Sequence, residues 1–260
     1  GSLPVNLKFV RSLLANNPHI SKHYKSNLLQ LDNASKERLL FGNWEYEDDP
    51  AVLMPYMKII DCFTNTHVIP QGERFISADI ARYGQDKTVI CLWHGMVCGK
   101  ILTLQNKSIT EVAEIIKSIK NKASVPLSNI IVDEDGVGGG VMDILGCKGF
   151  LNNGKPIGGE NFQNLKSQCY FKLAELVNAN KVYIIADDPD LKSAIIEEFE
   201  QIKRANMDKD SKLAVIGKEH IKEAIGRSPD YADAIMMRQW FALQPVFEQI
   251  DLKKIYQDFL

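Results

Sequence analysis

The length, composition and charge of the chain restrict its possible class. Its 260 residues are 45% hydrophobic and 25% charged, which is enough apolar material for one large globular domain with or without a small satellite. No stretch reaches the roughly 20 apolar residues that cross a bilayer, which excludes a membrane-spanning chain. The five cysteines form no C-x-x-C pair, which excludes a disulfide or zinc framework. The net charge of −2 gives no global attraction to nucleic acid, which excludes a uniformly basic DNA-binding protein.

The predicted elements divide the chain near residue 70. Residues 1–70 have helically spaced apolar residues interrupted by prolines and Gly42, which predicts short helices in a connector. Residues 71–260 alternate strands and helices. The predicted strands are 74–80, 87–93, 96–105, 129–133 and 182–185, and the predicted helices are 110–121, 163–179, 190–200 and one from about 229, with a hairpin across 201–219. This pattern predicts an α/β domain with a mixed five-stranded sheet flanked by helices.

Two of these buried strands end on a carboxylate. The apolar strand "RFISAD" ends at Asp79, and "NIIVD" ends at Asp133 before further acids and the glycine-rich residues 136–140. Ligands of open α/β sheets bind outside the carboxyl ends of the strands, so we expect Asp79 and Asp133 to lie close together. Two ionised carboxylates in contact repel each other and lose solvation. The pair therefore requires a cation.

The third candidate position is the segment "SPDYADAIMM". It predicts a helix with Ser228 as its N-cap and Pro229 as its first helical residue. One face of that helix carries, at spacing i, i+3, i+4 and i+7, Asp230, Asp233, Ala234 and Met237. Because this face is otherwise small or apolar, we expect it to pack on the sheet with its acids directed inward.

Each acid also has an ordinary structural explanation. Asp79 alone would be a turn residue, and Asp133 would belong to a solvated acidic loop. Asp230 would complement the helix dipole, a contribution of roughly 0.3–1 kcal/mol, but that explanation leaves Asp233 unexplained. The coincidence of acids at two strand ends and on a late helix favours one shared site.

Taken together, these segments resemble a known family. "LLFGNWEYEDDP", "SADIARYGQDKTVI", "IIVDEDGVGGGVMDIL" and "SPDYADAIMM" are similar, in type and order, to the motifs of the C-terminal nuclease domain of the large terminase subunit of tailed bacteriophages. The resemblance implies an RNase H-like fold and a metal site. By this resemblance, Asp79 would be a ligand shared between two metal ions and Asp133 would be the second ligand. Asp230, with Asp233 beside it, would supply the third acidic ligand. We prefer Asp230 as the direct ligand because the family's acid opens this helix.

Further residues are candidates for supporting roles. Asp86 and Asp135 lie close to the main acids in sequence and are expected to be auxiliary. Lys166 and Lys172 are candidate phosphate contacts, although ordinary solvated lysines of an amphipathic helix explain them as well. The predicted hairpin carries basic residues that either hold DNA phosphates or are simply exposed: Lys203, Arg204, Lys209, Lys212 and Lys218.

The proposed ligands determine the expected chemistry. Oxygen donors without His or Cys select Mg²⁺ or Mn²⁺, and two such ions support hydrolysis of a phosphodiester without a protein nucleophile. The resemblance implies an endonuclease that cuts concatemeric double-stranded DNA in the host cytoplasm, together with a terminase ATPase domain, a small terminase subunit and a portal protein. The chain has no G-x-x-x-x-G-K-[ST] loop, so the resemblance implies a nuclease domain separated from its motor, with residues 1–70 as the joint.

Two other classes remain open. A nucleotide-binding enzyme, actin-like or Rossmann-type, would use Gly136-x-Gly138 after a strand, but Val141 stands where the dinucleotide fingerprint needs Gly or Ala. A non-catalytic interaction module of the packaging motor would have a decayed site. That module predicts neither metal binding nor activity, whereas the nuclease predicts both.

Overall fold

The computed structural model describes residues 49–81, 86–206 and 211–244, and these residues form a six-stranded sheet with helices on both faces. The strands of this sheet are β1 (Arg74–Asp79), β2 (Thr88–His94), β3 (Val97–Leu104), β4 (Ile130–Asp133), β5 (Lys148–Phe150) and β6 (Tyr183–Ile184), in the order β5-β4-β1-β2-β3-β6. A separate two-stranded ribbon pairs β7 (Arg204–Ala205) with β8 (Ala214–Val215). The strands β1, β2 and β3 form an antiparallel meander, whereas β4 runs parallel to β1.

Eight α-helices accompany these strands in the described part of the chain. They are α1 (Tyr56–Asp61), α2 (Ile109–Ala123), α3 (Gly138–Leu145), α4 (Leu165–Asn178), α5 (Pro189–Glu200), α6 (Lys218–Ile225), α7 (Asp230–Met236) and α8 (Gln239–Leu243). Local sequence explains the clearest of them. The α2 helix begins with a capping box between Ser108 and Glu111 and ends at Ser124 in the left-handed conformation.

The two faces of the sheet build two separate cores. Alternate strand residues point to opposite faces, and those packed against α2 and α3 are Ile76, Ala78, Ile90, Ile130 and Val132. The opposite face packs against α1, α4, α5 and α7 through Phe75, Val89, Cys91, Trp93 and Ile131. Because Asp79 and Asp133 continue the second alternation, their side chains belong to the face that α7 covers.

The predicted α/β class and mixed sheet are confirmed, with three differences in detail. The sheet has six strands instead of the predicted five. The additional strand is β5, whose three residues are too few to show a strand period in the sequence. Part of the glycine-rich stretch forms α3, although each Gly weakens a helix by about 1 kcal/mol relative to Ala. The predicted hairpin extends to residue 219, whereas the helix α6 already begins at Lys218 and is followed by Gly226 with a φ of 74°.

Part of the predicted connector packs with the sheet domain. Met54, Ile59 and Cys62 are buried in the larger core, and the Ile184 N–H donates to the Cys62 carbonyl at 2.7 Å. Residues 1–48, residues 82–85 between β1 and β2, and the hairpin residue Lys209 lie outside the described residues. None of the described helices is long and apolar enough to cross a membrane.

Candidate metal centre

The parallel pairing of β1 and β4 brings Asp79 and Asp133 to the same edge of the sheet. Ala78 pairs with Val132, and Asp79 and Asp133 each lie one residue further along. Neighbouring strands are about 4.8 Å apart, so the two carboxylates leave the sheet side by side. Asp79 is 6% exposed, and no hydrogen bond to its carboxylate comes from the described residues.

A buried hydrogen-bond chain attaches α7 to this edge. The Ser77 hydroxyl donates to the Ala234 carbonyl at 2.6 Å and accepts from the Trp93 indole N–H at 3.0 Å. Asp230 and Asp233 are 5% and 6% exposed, which confirms that the helix face packs inward with its acids. The helix begins at Asp230 rather than Pro229, because the Ser228 hydroxyl, instead of capping it, donates to Asp86 at 2.9 Å.

The acids surround one open cavity of about 510 Å³, the carboxylate cavity. Its polar lining consists of Asp79, Asp86, Asp133, Asp135, Asn152, Lys218 and Asp230. The structure thus brings the two strand-end acids, the first helix acid and both auxiliary candidates to one place. Asp233 lines a neighbouring cavity instead.

The carboxylates at this site differ in the groups that hold them. Asp133 accepts from the Asn152 side-chain amide at 3.0 Å and from the Asp135 N–H at 3.2 Å. Asp230 accepts from the Lys87 N–H at 2.8 Å. These hydrogen bonds fix one oxygen of each carboxylate, and no described residue forms a hydrogen bond with the other.

Asp233 is held more completely than the other acids. The Lys166 ammonium lies 2.8 Å from one of its oxygens and 2.9 Å from the other. The Tyr170 hydroxyl donates to it at 2.6 Å. Lys166 therefore neutralises Asp233 within the protein.

Burial and mutual repulsion raise the pKa values of the acids. Burial, followed by the charge of Asp233, raises the pKa of Asp79 well above its ordinary value. Burial is also the main cause that raises the pKa of Asp133 and of Asp230 to about 6. Burial alone would lower the pKa of Lys218, but the nearby charges of Asp79, Asp233 and Asp230 outweigh it and raise that pKa. The site thus holds excess negative charge, which an added cation would relieve.

The donor set suits a hard divalent cation. Within the described ranges, no three acidic, histidine or cysteine side chains already form a metal cage, so an ion would have to draw the carboxylates together. The oxygens of Asp79, Asp133, Asp135, Asp230 and Asn152 around the cavity are the donor type that Mg²⁺ and Mn²⁺ prefer. Zinc would call for His or Cys ligands, and the cavity lining has neither.

Three of the basic candidates lie elsewhere. Lys172 forms ion pairs with Glu160 and Glu175, Lys203 pairs with Asp49, and the Arg204 N–H donates to the Ala51 carbonyl. None of the three lines either cavity.

Two residues of this site are not distinguished by the local sequence pattern. Lys218 follows the other lysines of the predicted hairpin, whereas the first turn of α6 places it among the carboxylates. Its signal was the helical spacing of Ile221 and Ile225 before Gly226. Asn152 was not singled out, and nothing in its local sequence marks it.

The close approach of α3 to Asp133 leads to a test of site geometry. A Cβ on Gly138 would lie 1.6 Å from the Asp133 carbonyl oxygen, whereas one on Gly139 would lie 3.5 Å from that of Glu134. We expect Gly138→Ala to lower the free energy of unfolding by about 2 kcal/mol or more and to displace Asp133. Gly139→Ala, the matched control, should be neutral or stabilising by up to about 1 kcal/mol. Denaturant unfolding of both variants checks this, and equal effects would contradict it.

Comparison with solved structures identifies the fold. The nuclease domain of the large terminase subunit gp2 of bacterial virus Sf6 matches with a TM-score of 0.64 and 19% sequence identity, covering 72% of this chain and 97% of that domain. A mutant of the same domain with manganese and beta-thujaplicinol gives the same values, and one with calcium gives a TM-score of 0.63 at 19% identity, covering 72% and 98%. No protein-family model and no curated protein sequence matches the chain. The chain has the RNase H-like fold of phage terminase nuclease domains, as the sequence resemblance implied.

Proposed function

We propose that the protein is a metal-dependent endonuclease that hydrolyses phosphodiester bonds of double-stranded DNA by a two-metal mechanism. The observation that carries this proposal is the meeting of Asp79, Asp133 and Asp230 around one cavity at the carboxyl ends of β1 and β4. The fold and the metals named in the Sf6 gp2 nuclease structures support it.

Each residue of the proposed metal centre has a separate role. Asp79, buried between the other acids, would be shared by two Mg²⁺ or Mn²⁺ ions, with Asp133 and the α7 acids completing the two ligand sets. Such ions, when bound, activate water and stabilise the departing oxygen. Asn152 orients Asp133 through its hydrogen bond, a role that outer residues of metal sites commonly have. Lys218 lines the cavity and would supply a positive charge for a phosphate.

The two acids of α7 are available to different degrees. Asp230 lines the carboxylate cavity with one oxygen unengaged, so we propose it as the ligand that needs no rearrangement. Asp233 has the stronger charge effect on Asp79, but Lys166 must leave before it can bind an ion. In crystals soaked with Mn²⁺, anomalous density beside Asp233 and remote from Asp230 would reverse this assignment.

The resemblance to terminase nuclease domains supports a proposal for the biological setting. We propose that residues 71–260 are the nuclease domain, on which residues 54–62 pack, and that residues 1–70 contain the joint to a terminase ATPase domain. The nuclease would cut concatemeric viral DNA at the procapsid in the host cytoplasm, alongside a small terminase subunit and a portal protein.

A plasmid-cleavage assay tests the proposed activity. We expect nicking with Mn²⁺ or Mg²⁺, none with EDTA, and a loss of more than about 100-fold for Asp133→Asn. Asp143→Asn, on the exposed surface of α3, is the matched control and should cut normally. Folded protein that never cuts with either metal would instead support the non-catalytic module, and cleavage that survives Asp133→Asn would refute the site assignment.

The affinity for Mn²⁺ should depend on pH near 6. Asp133 and Asp230 have pKa values of about 6, and an ion binds only their deprotonated forms. Protons therefore compete with the ion below about pH 7, and the affinity should fall by up to about 100-fold between pH 7 and pH 5 if both acids bind, while it changes little above pH 7. Calorimetric titration at several pH values measures this. An affinity that is the same at pH 5 and pH 7 would contradict it.

A further inference from the structure

A second cavity, the amide cavity, lies beside the carboxylate cavity. Its volume is about 530 Å³, within the roughly 300–1,000 Å³ of typical small-molecule sites. Three residues line both cavities: Asp133, Asn152 and Lys218. A ligand in the amide cavity would therefore be adjacent to the proposed metal ligands.

Four side-chain amides line this cavity. They are Asn152, Asn153, Gln163 and Asn164. Asn164 is committed to the structure, since it accepts from the Ser167 N–H at 2.9 Å and donates to the Asn153 side-chain oxygen at 3.3 Å. The exposed Gln163 amide takes part in no hydrogen bond with the described part of the chain, and the Asn153 amide NH₂ is equally available. These two amides offer both donors and an acceptor to a ligand.

The rest of the lining combines lysines and aspartates with apolar surface. Lys218 opens α6, an eight-residue helix preceded by Gly217, which has no side chain to cap it. Free N–H groups at a helix start and a lysine together favour a phosphate. Val215 and Ile216 also line the cavity and provide an apolar surface for a flat ring.

We propose that the amide cavity binds the deoxynucleotide next to the phosphodiester that is cut, an inference that rests on the proposed nuclease function. Its phosphate lies toward Lys218 and the start of α6, and its base, unpaired and out of the duplex stack, lies against Val215 and Ile216. Gln163 and Asn153 contact the base edge, where amides match the donor and acceptor pattern of bases. The cavity thereby holds the strand in register with the carboxylates.

Binding of a short single strand tests this inference without cleavage. The probe is a fluorescein-labelled tetradeoxynucleotide, measured by anisotropy with Ca²⁺ present and again with EDTA, beside the same probe with abasic positions. We expect the double variant Asn153→Ala, Gln163→Ala to weaken binding of the intact probe about tenfold, which corresponds to about 1.4 kcal/mol, with little effect on the abasic probe. Asn121→Ala, an exposed amide on α2, is the matched control and should bind normally.

The results separate this inference from the function on which it rests. If the protein cuts DNA but the double variant binds the intact probe as tightly as the parent, the amide cavity is not a nucleotide subsite and the nuclease proposal stands. If the protein never cuts but binding still depends on the two amides and the base, the cavity assignment survives and the nuclease proposal fails. Equal weakening by Asn121→Ala, or equal binding of the abasic probe, would overturn the inference.

Discussion

Asp79→Asn is expected to abolish metal-dependent cleavage while stabilising the metal-free protein. Loss of the ligand that we propose to be shared by two ions should lower activity by more than about 100-fold, the upper range for groups that only support a ligand. The same change removes a buried negative charge that burial and Asp233 make unfavourable. In EDTA at pH 7 we expect the midpoint of thermal unfolding to rise by roughly 2–4 °C, or about 1 kcal/mol.

The sign of this stability effect follows from proton linkage. The pKa of Asp79 is raised in the folded protein above its ordinary value of 3.8, so folding is penalised while the group is ionised. The penalty is complete above the folded pKa and vanishes below about 3.8. The gain from Asp79→Asn should therefore shrink as the pH is lowered toward 4. Asp143→Asn is again the control, and a variant that is both inactive and less stable in EDTA would contradict this account.

Glu198→Ala is expected to lower the free energy of unfolding and also to reduce DNA cleavage, although Glu198 does not line the carboxylate cavity. Glu198 is fully buried, pairs with Arg227 and accepts the Ala232 N–H at 2.8 Å, so it caps the start of α7 from α5. Its removal leaves that buried N–H without an acceptor, which costs about 1–3 kcal/mol, and loosens the helix that carries Asp230 and Asp233. We expect a loss of about 2–3 kcal/mol in the free energy of unfolding, with reduced cleavage.

The neighbouring acid provides the control for this prediction. Glu197 pairs with the same arginine at 2.7 Å, but its side chain is 52% exposed, so Glu197→Ala should cost less than about 1 kcal/mol. Glu198→Gln keeps an acceptor for the Ala232 N–H and should retain more activity than Glu198→Ala. Chemical denaturation measures the free energy of unfolding of the three variants, and a cleavage assay compares their rates. Equal losses for Glu197→Ala and Glu198→Ala would show that burial of the cap is unimportant.

The sequence was sufficient to predict the framework that presents the acids. Two apolar strands that each end on an aspartate, and a helix face with acids at i and i+3, are local patterns set by backbone periods of 2 and 3.6. They predicted the positions of Asp79 and Asp133 at strand ends and the inward face of α7. Irregular pieces were missed: α3 forms although three glycines open it, and β5 is held by pairing with β4 rather than by its own three residues.

The groups that surround the acids depend on how distant segments pack together. Lys166 reaches Asp233 across 67 positions of sequence, and Asn152 reaches Asp133 across 19, while Lys218 lines the cavity because α6 begins there. A local pattern cannot carry such contacts, since they depend on how separate elements pack. The positions of the carboxylates at the strand ends and on α7 could thus be predicted, because strand and helix periods are local. Which of them is paired with a lysine could not, because the pairing of Asp233 with Lys166 depends on the packing of α4 against α7.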